Sequence, residues 1–253
     1  MLDSATERAT PRRLIVAITG ASGAIYGVRA LQLLREMGGI ESHLILTASG
    51  ARTLAEETEV SAADVRALAD VVHSARDIGA TVSSGSFRTI GMLVAPCSIK
   101  TLSGIAHCYN DELVVRAADV CLKERRRVVL LLRETPLHAG HIALMDQATR
   151  NGAIIMPPVP AFYQRPVTVQ DIVDQTVGRA LDLFDLDSPA VKRWAGGLRG
   201  GRPNMPRPDA DRSDRDGDGD TGSDTGSDTG NDTGNDTGND TASDSDEAQG
   251  SKR

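Results

Sequence analysis

Three short segments, far apart in the chain, carry residue types suited to holding phosphate or its counter-charge. They are Thr19-Gly20-Ala21-Ser22-Gly23, Pro96-Cys97-Ser98-Ile99-Lys100-Thr101 and Arg133-Glu134-Thr135-Pro136. Each follows an apolar, β-branched run. In an open parallel α/β sheet the loops after the strands gather on one edge, so these segments are expected to share a site. Three such loops give more anionic capacity than one mononucleotide needs.

In the first segment, glycines let backbone N–H groups approach an anion, and a helix N-terminus adds roughly half a positive charge. The dinucleotide fingerprint is not met. Gly20, Gly23 and Gly27 do not give G-x-G-x-x-G, and the second strand ends in Thr47, where a ribose-binding site wants an acid. None of Tyr26, Tyr109 or Tyr163 has a lysine four residues later. A tight turn without ligand remains an alternative, and Ser22 suits either a helix N-cap or a hydroxyl aimed at a ligand. Ser98 and Thr101 supply two hydroxyls at the start of a helix, as ordinary caps also do.

Arg116, Lys123, Arg133 and Arg179 fall near element ends or on otherwise apolar faces. Arginine–phosphate contacts are often bidentate. Lys123, beside Glu124-Arg125-Arg126, reads equally well as a solvated helix charge, and Glu57 sits between Glu56 and Glu59 like any polar helix end. Arg133-Glu134 is harder to dismiss, because strand C-termini line the site. Aromatic residues are 3% of the chain, so the core is aliphatic. Tyr163 follows a proline-stiffened stretch and Trp194 is the sole tryptophan; both suit simple packing, although an indole face also stabilises a cation. His73, His107, His138 and His141 show no helical metal spacing and read as structural or solvated.

The elements that must position these groups follow from periodicity. Strands are expected at Arg12–Thr19, Glu41–Thr47, Gly91–Val94, Val128–Leu132 and Ala153–Met156. Helices are expected at Ala24–Met37, Ala48–Glu57, Ala62–Val72, Asp111–Arg125, Gly140–Arg150 and Val169–Leu183. Five apolar residues in a row at Val128–Leu132 suit a central parallel strand covered on both faces. The alternation predicts one α/β domain with a doubly wound parallel sheet over residues 12–197, after a polar arm at 1–11.

Composition divides the chain. Residues 203–253 hold 14 acidic and 5 basic residues, whereas the whole chain carries a net charge of −7. The part before the tail is therefore close to neutral, which gives no electrostatic footprint for nucleic acid. The tail, residues 198–253, repeats Asp-Thr-Gly-Ser/Asn and has almost no apolar residues, so it is expected to be disordered. Asp214, Asp216, Asp218 and Gly219 match the start of a calcium loop. Its twelfth position is Thr225 instead of glutamate, which favours a plain solubilising tail. Cys97, Cys108 and Cys121 are odd in number and lack C-x-x-C spacing, so neither a disulfide framework nor a zinc site is supported. No apolar run approaches the ~20 residues that span a bilayer, and the N-terminus lacks a secretory apolar core. A cytoplasmic protein without membrane or nucleic-acid partners is the expectation.

With these residues in view, the chain resembles the UbiX-like flavin prenyltransferase family from about Arg13 to Trp194. The resemblance rests on TGASGAIYG (19–27), PCSIKTLSGIAH (96–107), VRAADVCLKERR (115–126), LLRETPLH (131–138), GAIIMPPVPAFY (152–163), VGRALDLF (177–184) and Trp194. It implies a flavodoxin-like Rossmann variant, a homododecamer, and metal-independent transfer of a dimethylallyl group from dimethylallyl monophosphate to N5 and C6 of reduced FMN. The product would serve a UbiD-like decarboxylase. By position, the resemblance assigns FMN to Gly20, Ala21, Ser22, Thr47, Ser98, Ile99, Lys100, Thr101 and Arg133. It assigns the donor phosphate to Lys123, Glu134, Tyr163 and Arg179. Ser22 and Glu57 would handle protons near flavin N5, Trp194 would shield an allylic cation, and Arg116 would support a neighbouring subunit's site. Thr47 stands where many members have serine, which keeps the hydroxyl.

Two other readings compete. A non-catalytic FMN-binding accessory subunit of a decarboxylase would not need Lys123, Glu134, Tyr163 and Arg179 together. A flavin-dependent cysteine decarboxylase shares the fold and a similar Pro-x-Ser-x-x-Thr loop, but that group has asparagine where this chain has Lys100.

Overall fold

Strand β1 (Arg12–Ile18) alternates its side chains between two apolar layers, and every residue from Leu14 to Ile18 is fully buried. Leu14, Val16 and Ile18 enter one core, with Val28 and Leu31 of helix α1 (Ala24–Met37) and Val177 and Leu181 of the last helix. Ile15 and Ala17 enter the other, with Leu102, Val114 and Ala117 from helices on the opposite face. A strand apolar on both sides can be stable only between two helix layers.

The remaining elements, in the computed structural model of the chain, are β2 (Ile40–Leu46), α2 (Ala48–Glu57), α3 (Ala62–Leu68), β3 (Val71–Ser74), β4 (Gly91–Cys97), α4 (Ile99–Ala106), α5 (Leu113–Lys123), β5 (Arg127–Leu132), α6 (Ala139–Arg150), β6 (Ile154–Ile155) and α7 (Val169–Asp182), with 3₁₀ turns at Thr81–Ser83 and Phe162–Gln164. The structure describes residues 12–193. The expectations for the arm at 1–11, for Trp194 and for the tail at 198–253 therefore lie outside the described residues.

All six strands pair in parallel in the order β3-β2-β1-β4-β5-β6. Without the edge strand β3, this is the flavodoxin-like order. The direction of winding reverses between β1 and β4, and ligands of open α/β sheets bind outside the strand ends at that point. Register brings the loops level: Ala17 is opposite both Ile45 and Val94, and Cys97 is opposite Leu132.

Two expected elements change. The helix expected at 62–72 stops at Leu68, and Val71–Ser74 is a strand on β2. The cause is Asp70, whose carboxylate accepts from the Ser42 backbone N–H at 2.7 Å and from its hydroxyl at 2.8 Å, drawing the chain onto the sheet. The strand expected at 91–94 runs on to Cys97, and the hydroxyl loop behind it winds directly into α4. Elsewhere bounds shift by a residue or two: the helix expected at 111–125 covers Leu113–Lys123, and Arg125 leaves it with a positive φ of 57°.

Candidate active site

The segments after β1, β4 and β5 meet, as the sheet topology requires. Gly20, Ala21, Ser22, Ser98, Ile99, Arg133, Glu134 and Thr135 line one cavity of about 310 Å³. A second, of about 220 Å³, adjoins it through Gly20, Ser98 and Ile99 and adds Thr47, Lys100 and Thr101. Together they suit a small-molecule ligand, whose sites typically measure ~300–1,000 Å³. Gly20 is required by contact, since a Cβ there would lie 2.3 Å from the Cβ of Ser49. Gly23 is required by conformation, at φ 102°.

The first loop does not offer its helix N-terminus to an anion. Glu57, at the end of α2, accepts from Gly23 N at 2.8 Å and Ala24 N at 3.1 Å. Its carboxylate caps α1 from 34 residues away, so Ser22 is not the cap; Gly23 is the N-cap residue and makes no side-chain bond. Burial disfavours the charged form of Glu57, but the Ser22 hydroxyl, the two backbone donors and the Arg133 charge outweigh it and hold the carboxyl below its ordinary range. Two of the donors expected to face an anion at this turn are thereby already engaged within the chain. What it presents to the cleft is the exposed Ser22 with the flat Gly20–Ala21 backbone.

The second loop is better disposed. Ser98 caps α4, its Oγ accepting from Thr101 N at 3.3 Å and lying 3.0 Å from Thr101 Oγ1. Lys100 turns to Glu112 at 2.8 Å, and that hydrogen bond raises its pKa. Thr47 caps α2, accepting from Gly50 N at 3.0 Å and donating to the Ile18 carbonyl at 3.3 Å, so its hydroxyl lines the cleft with its own proton engaged. In the third loop, Arg133 Nε donates to the Ser22 carbonyl at 3.3 Å and its backbone N–H to the Cys97 carbonyl at 3.0 Å. Glu134 accepts from Thr135 N at 3.0 Å.

Within one chain the expected phosphate-donor set does not assemble. Glu134 lines the cleft. Tyr163 is half exposed in the 3₁₀ turn that follows β6. Lys123 ends α5, four residues before β5 begins, which places it at the opposite, amino edge of the sheet. It pairs there with Glu124 at 2.5 Å. Arg179 is in the last turn of α7, paired with Asp182. That helix end also meets the amino edge, where Arg12 Nη2 donates to the Phe184 carbonyl at 3.4 Å and Arg127 pairs with Asp185 at 2.5 Å. Arg116 pairs with Asp119 at 2.9 Å on α5. A single copy thus does not bring Lys123 and Arg179 to Glu134, because α5 and α7 run back from the cleft and carry both cations away.

Two features escaped the sequence. Thr19 joins the first two loops through its side chain, and Glu57 works as a cap; nothing local to either residue marks these contacts across 77 and 34 positions. Among the described residues no group of three or more His, Cys, Asp or Glu could hold a metal ion, and no helix is long and apolar enough to cross a membrane. All three cysteines are free.

Known proteins are similar to this chain in sequence and fold. The Flavoprotein family matches residues 2–181. The chain is 59% identical over 187 residues to "Flavin prenyltransferase UbiX" of Escherichia coli (strain K12), covering 73% of this chain and 99% of that protein. It is similar to the crystal structure of AnUbiX (PadA1) in complex with FMN and dimethylallyl pyrophosphate, with 50% identity, a TM-score of 0.73, and 74% and 100% of the two chains covered. A dodecameric FMN-dependent UbiX-like decarboxylase from Escherichia coli O157:H7 gives 53% identity, a TM-score of 0.71, and coverage of 73% and 100%.

Proposed function

The chain belongs to the UbiX-like flavin prenyltransferase family, and from that premise we propose that it joins a dimethylallyl group, taken from a dimethylallyl phosphate, to N5 and C6 of reduced FMN. The allylic C–O bond breaks and phosphate leaves. Carbon bonds form to the two flavin positions, each of which loses a proton, while the remaining double bond gains one. The observation that carries this reading is the meeting of Gly20–Ser22, Ser98–Ile99 and Arg133–Glu134 on one cleft at the switch point of the sheet. The flavin supplies two nucleophilic atoms; the chain supplies binding, orientation and charge.

The residues divide these tasks. The narrow backbone of Gly20 and Ala21 admits a flat ring system, and the hydroxyls and remaining donors at the start of α4 suit its phosphate. Arg133 adds a cation beside both. Ser22 and Glu57, hydrogen-bonded to each other, form a proton-handling pair at the cleft wall. A monophosphate is a poor leaving group, and each well-placed donor on it is worth ~10²–10³ in rate. Lys123 and Arg179 suit that task if they come from other copies of the chain, as a homo-oligomer would bring them, up to the dodecamer of the relative. Glu134 and Tyr163 complete that pocket from the cleft side, and Arg116 supports it from a neighbour. The product's use by a UbiD-like decarboxylase and a cytoplasmic location belong to the same reading.

Anaerobic incubation of the purified protein with reduced FMN and dimethylallyl monophosphate, followed by mass spectrometry of the extracted flavin, tests it. A flavin heavier by one C5 unit is expected. Unaltered FMN with the monophosphate and the diphosphate alike would leave a flavin-binding accessory role instead.

A further inference from the structure

Thr19 directly follows β1 and is 1% exposed. Its hydroxyl donates to the Pro96 carbonyl at 2.8 Å and accepts from the Ser98 N–H at 2.9 Å. Its own N–H reaches the same Pro96 carbonyl at 3.3 Å, and its carbonyl accepts from Ala21 N at 2.9 Å. A hydroxyl has one proton to give, and here it is given to protein, so Thr19 has none for a ligand. One buried side chain thereby fixes two of the three walls of the cleft: the Gly20–Ala21 backbone and the Ser98 cap of α4. The third wall hangs on the same short stretch, since Arg133 N donates to the Cys97 carbonyl at 3.0 Å.

We propose that Thr19 is a positioning residue for flavin binding: its hydroxyl clamps the loop after β1 to the loop after β4, and so sets the width of the cleft and the aim of the α4 N-terminus. This rests on the reading of the cleft as a flavin site. The clamp acts through Ser98 and Pro96, with the hydroxyl proton spent on the Pro96 carbonyl. Without the hydroxyl, the Ser98 N–H loses its partner in a dry place and the Pro96 carbonyl keeps only the longer bond from the Thr19 N–H, so the two loops part to find water.

Thr19→Val keeps the shape and removes both bonds, whereas Thr19→Ser keeps the bonds. Thr19→Ala carries the same test should the valine variant not fold. In the flavin-free protein, amide hydrogen exchange at Ser98 is expected to quicken at least tenfold in Thr19→Val and to stay near the parent rate in Thr19→Ser. The FMN dissociation constant, read by quenching of flavin fluorescence, is expected to rise roughly 10- to 100-fold in Thr19→Val. In Thr19→Ser it should remain within about threefold. Val16→Ala, a cavity in the same strand away from the cleft, is expected to lower the melting temperature while leaving FMN affinity near that of the parent. Parent-like flavin affinity in Thr19→Val, equal damage from Thr19→Ser, or equal loss of affinity from Val16→Ala would each overturn the clamp. A parent protein that takes up no flavin would overturn the proposed function, and the exchange measurement on Ser98 would then decide the clamp alone.

Discussion

At the carboxyl edge of the sheet the cleft residues are tied to one another across long stretches of chain. Arg133 holds the Ser22 carbonyl from 111 positions away, Glu57 holds Gly23 and Ala24, and Thr19 holds Pro96 and Ser98. At the amino edge, among the described residues, Lys123 and Arg179 pair with near neighbours, Glu124 and Asp182, and both are about half exposed. Long-range ties fix a geometry before any ligand arrives. Pairs one and three residues apart on the surface fix little, and exposed pairs are worth at most ~1 kcal/mol, so their cations can be given up to a better partner at small cost. On the proposed reading, the flavin half of the site would be preformed in each copy, and the phosphate-donor half would wait on assembly.

The largest expected effect follows from that contrast. Lys123→Ala should reduce prenyl transfer by ~10²–10³-fold and leave FMN affinity near that of the parent, measured by single-turnover flavin mass spectrometry beside fluorescence titration. The contrast sharpens if this variant, co-assembled with a cleft-defective Arg133→Ala chain, regains transfer that neither has alone. Loss of FMN binding in Lys123→Ala would break it, because the two edges would then serve one ligand.

Arg133→Ala acts on the preformed half. It removes the cation beside the cleft and the tie to Ser22, and a hydrogen bond to a charged group is worth ~1.5–3 kcal/mol. FMN binding should weaken by about 10- to 100-fold, while the oligomeric state, read by light scattering, stays unchanged. Weakened assembly with intact flavin affinity would reverse the assignment of the two edges.

Much of the fold is legible in the sequence because buried parallel strands announce themselves: Val128–Leu132 and the β1 run are apolar on both faces. The edge strand β3 is not, since its burial alternates and Asp70, not periodicity, sets where α3 ends. The three cleft segments are legible as loops after strands, a matter of order along the chain. The placement of Lys123 and Arg179 is not, because resemblance of sequence blocks carries no information on which sheet edge a helix end reaches. A helix that leaves the site must carry its far end away, and that length argument applies to both α5 and α7. The capping role of Glu57 is hidden for a different reason: it depends on α2 and α1 lying side by side, and its neighbours Glu56 and Glu59 make it look ordinary.

The smallest expected effect tests how firmly the preformed edge is held. The Glu57 carboxyl lies below its ordinary value of 4.5, so the folded chain favours its charged form. Its stabilisation is complete above that value and fades as pH falls through the lower pKa of the folded state. A carboxylate at a helix N-terminus is worth ~0.3–1 kcal/mol, and solvent screening at this exposed position puts it at the lower end. Glu57→Gln should therefore lower the melting temperature slightly at neutral pH, and the difference from the parent should shrink as pH drops below about 4.5, the ordinary value of the group. Thermal melts across that range read the difference directly. A gap that widens in acid would mean the carboxylate is strained in the cap, and the flavin loop would then be held by Thr19 and Arg133 without help from α2.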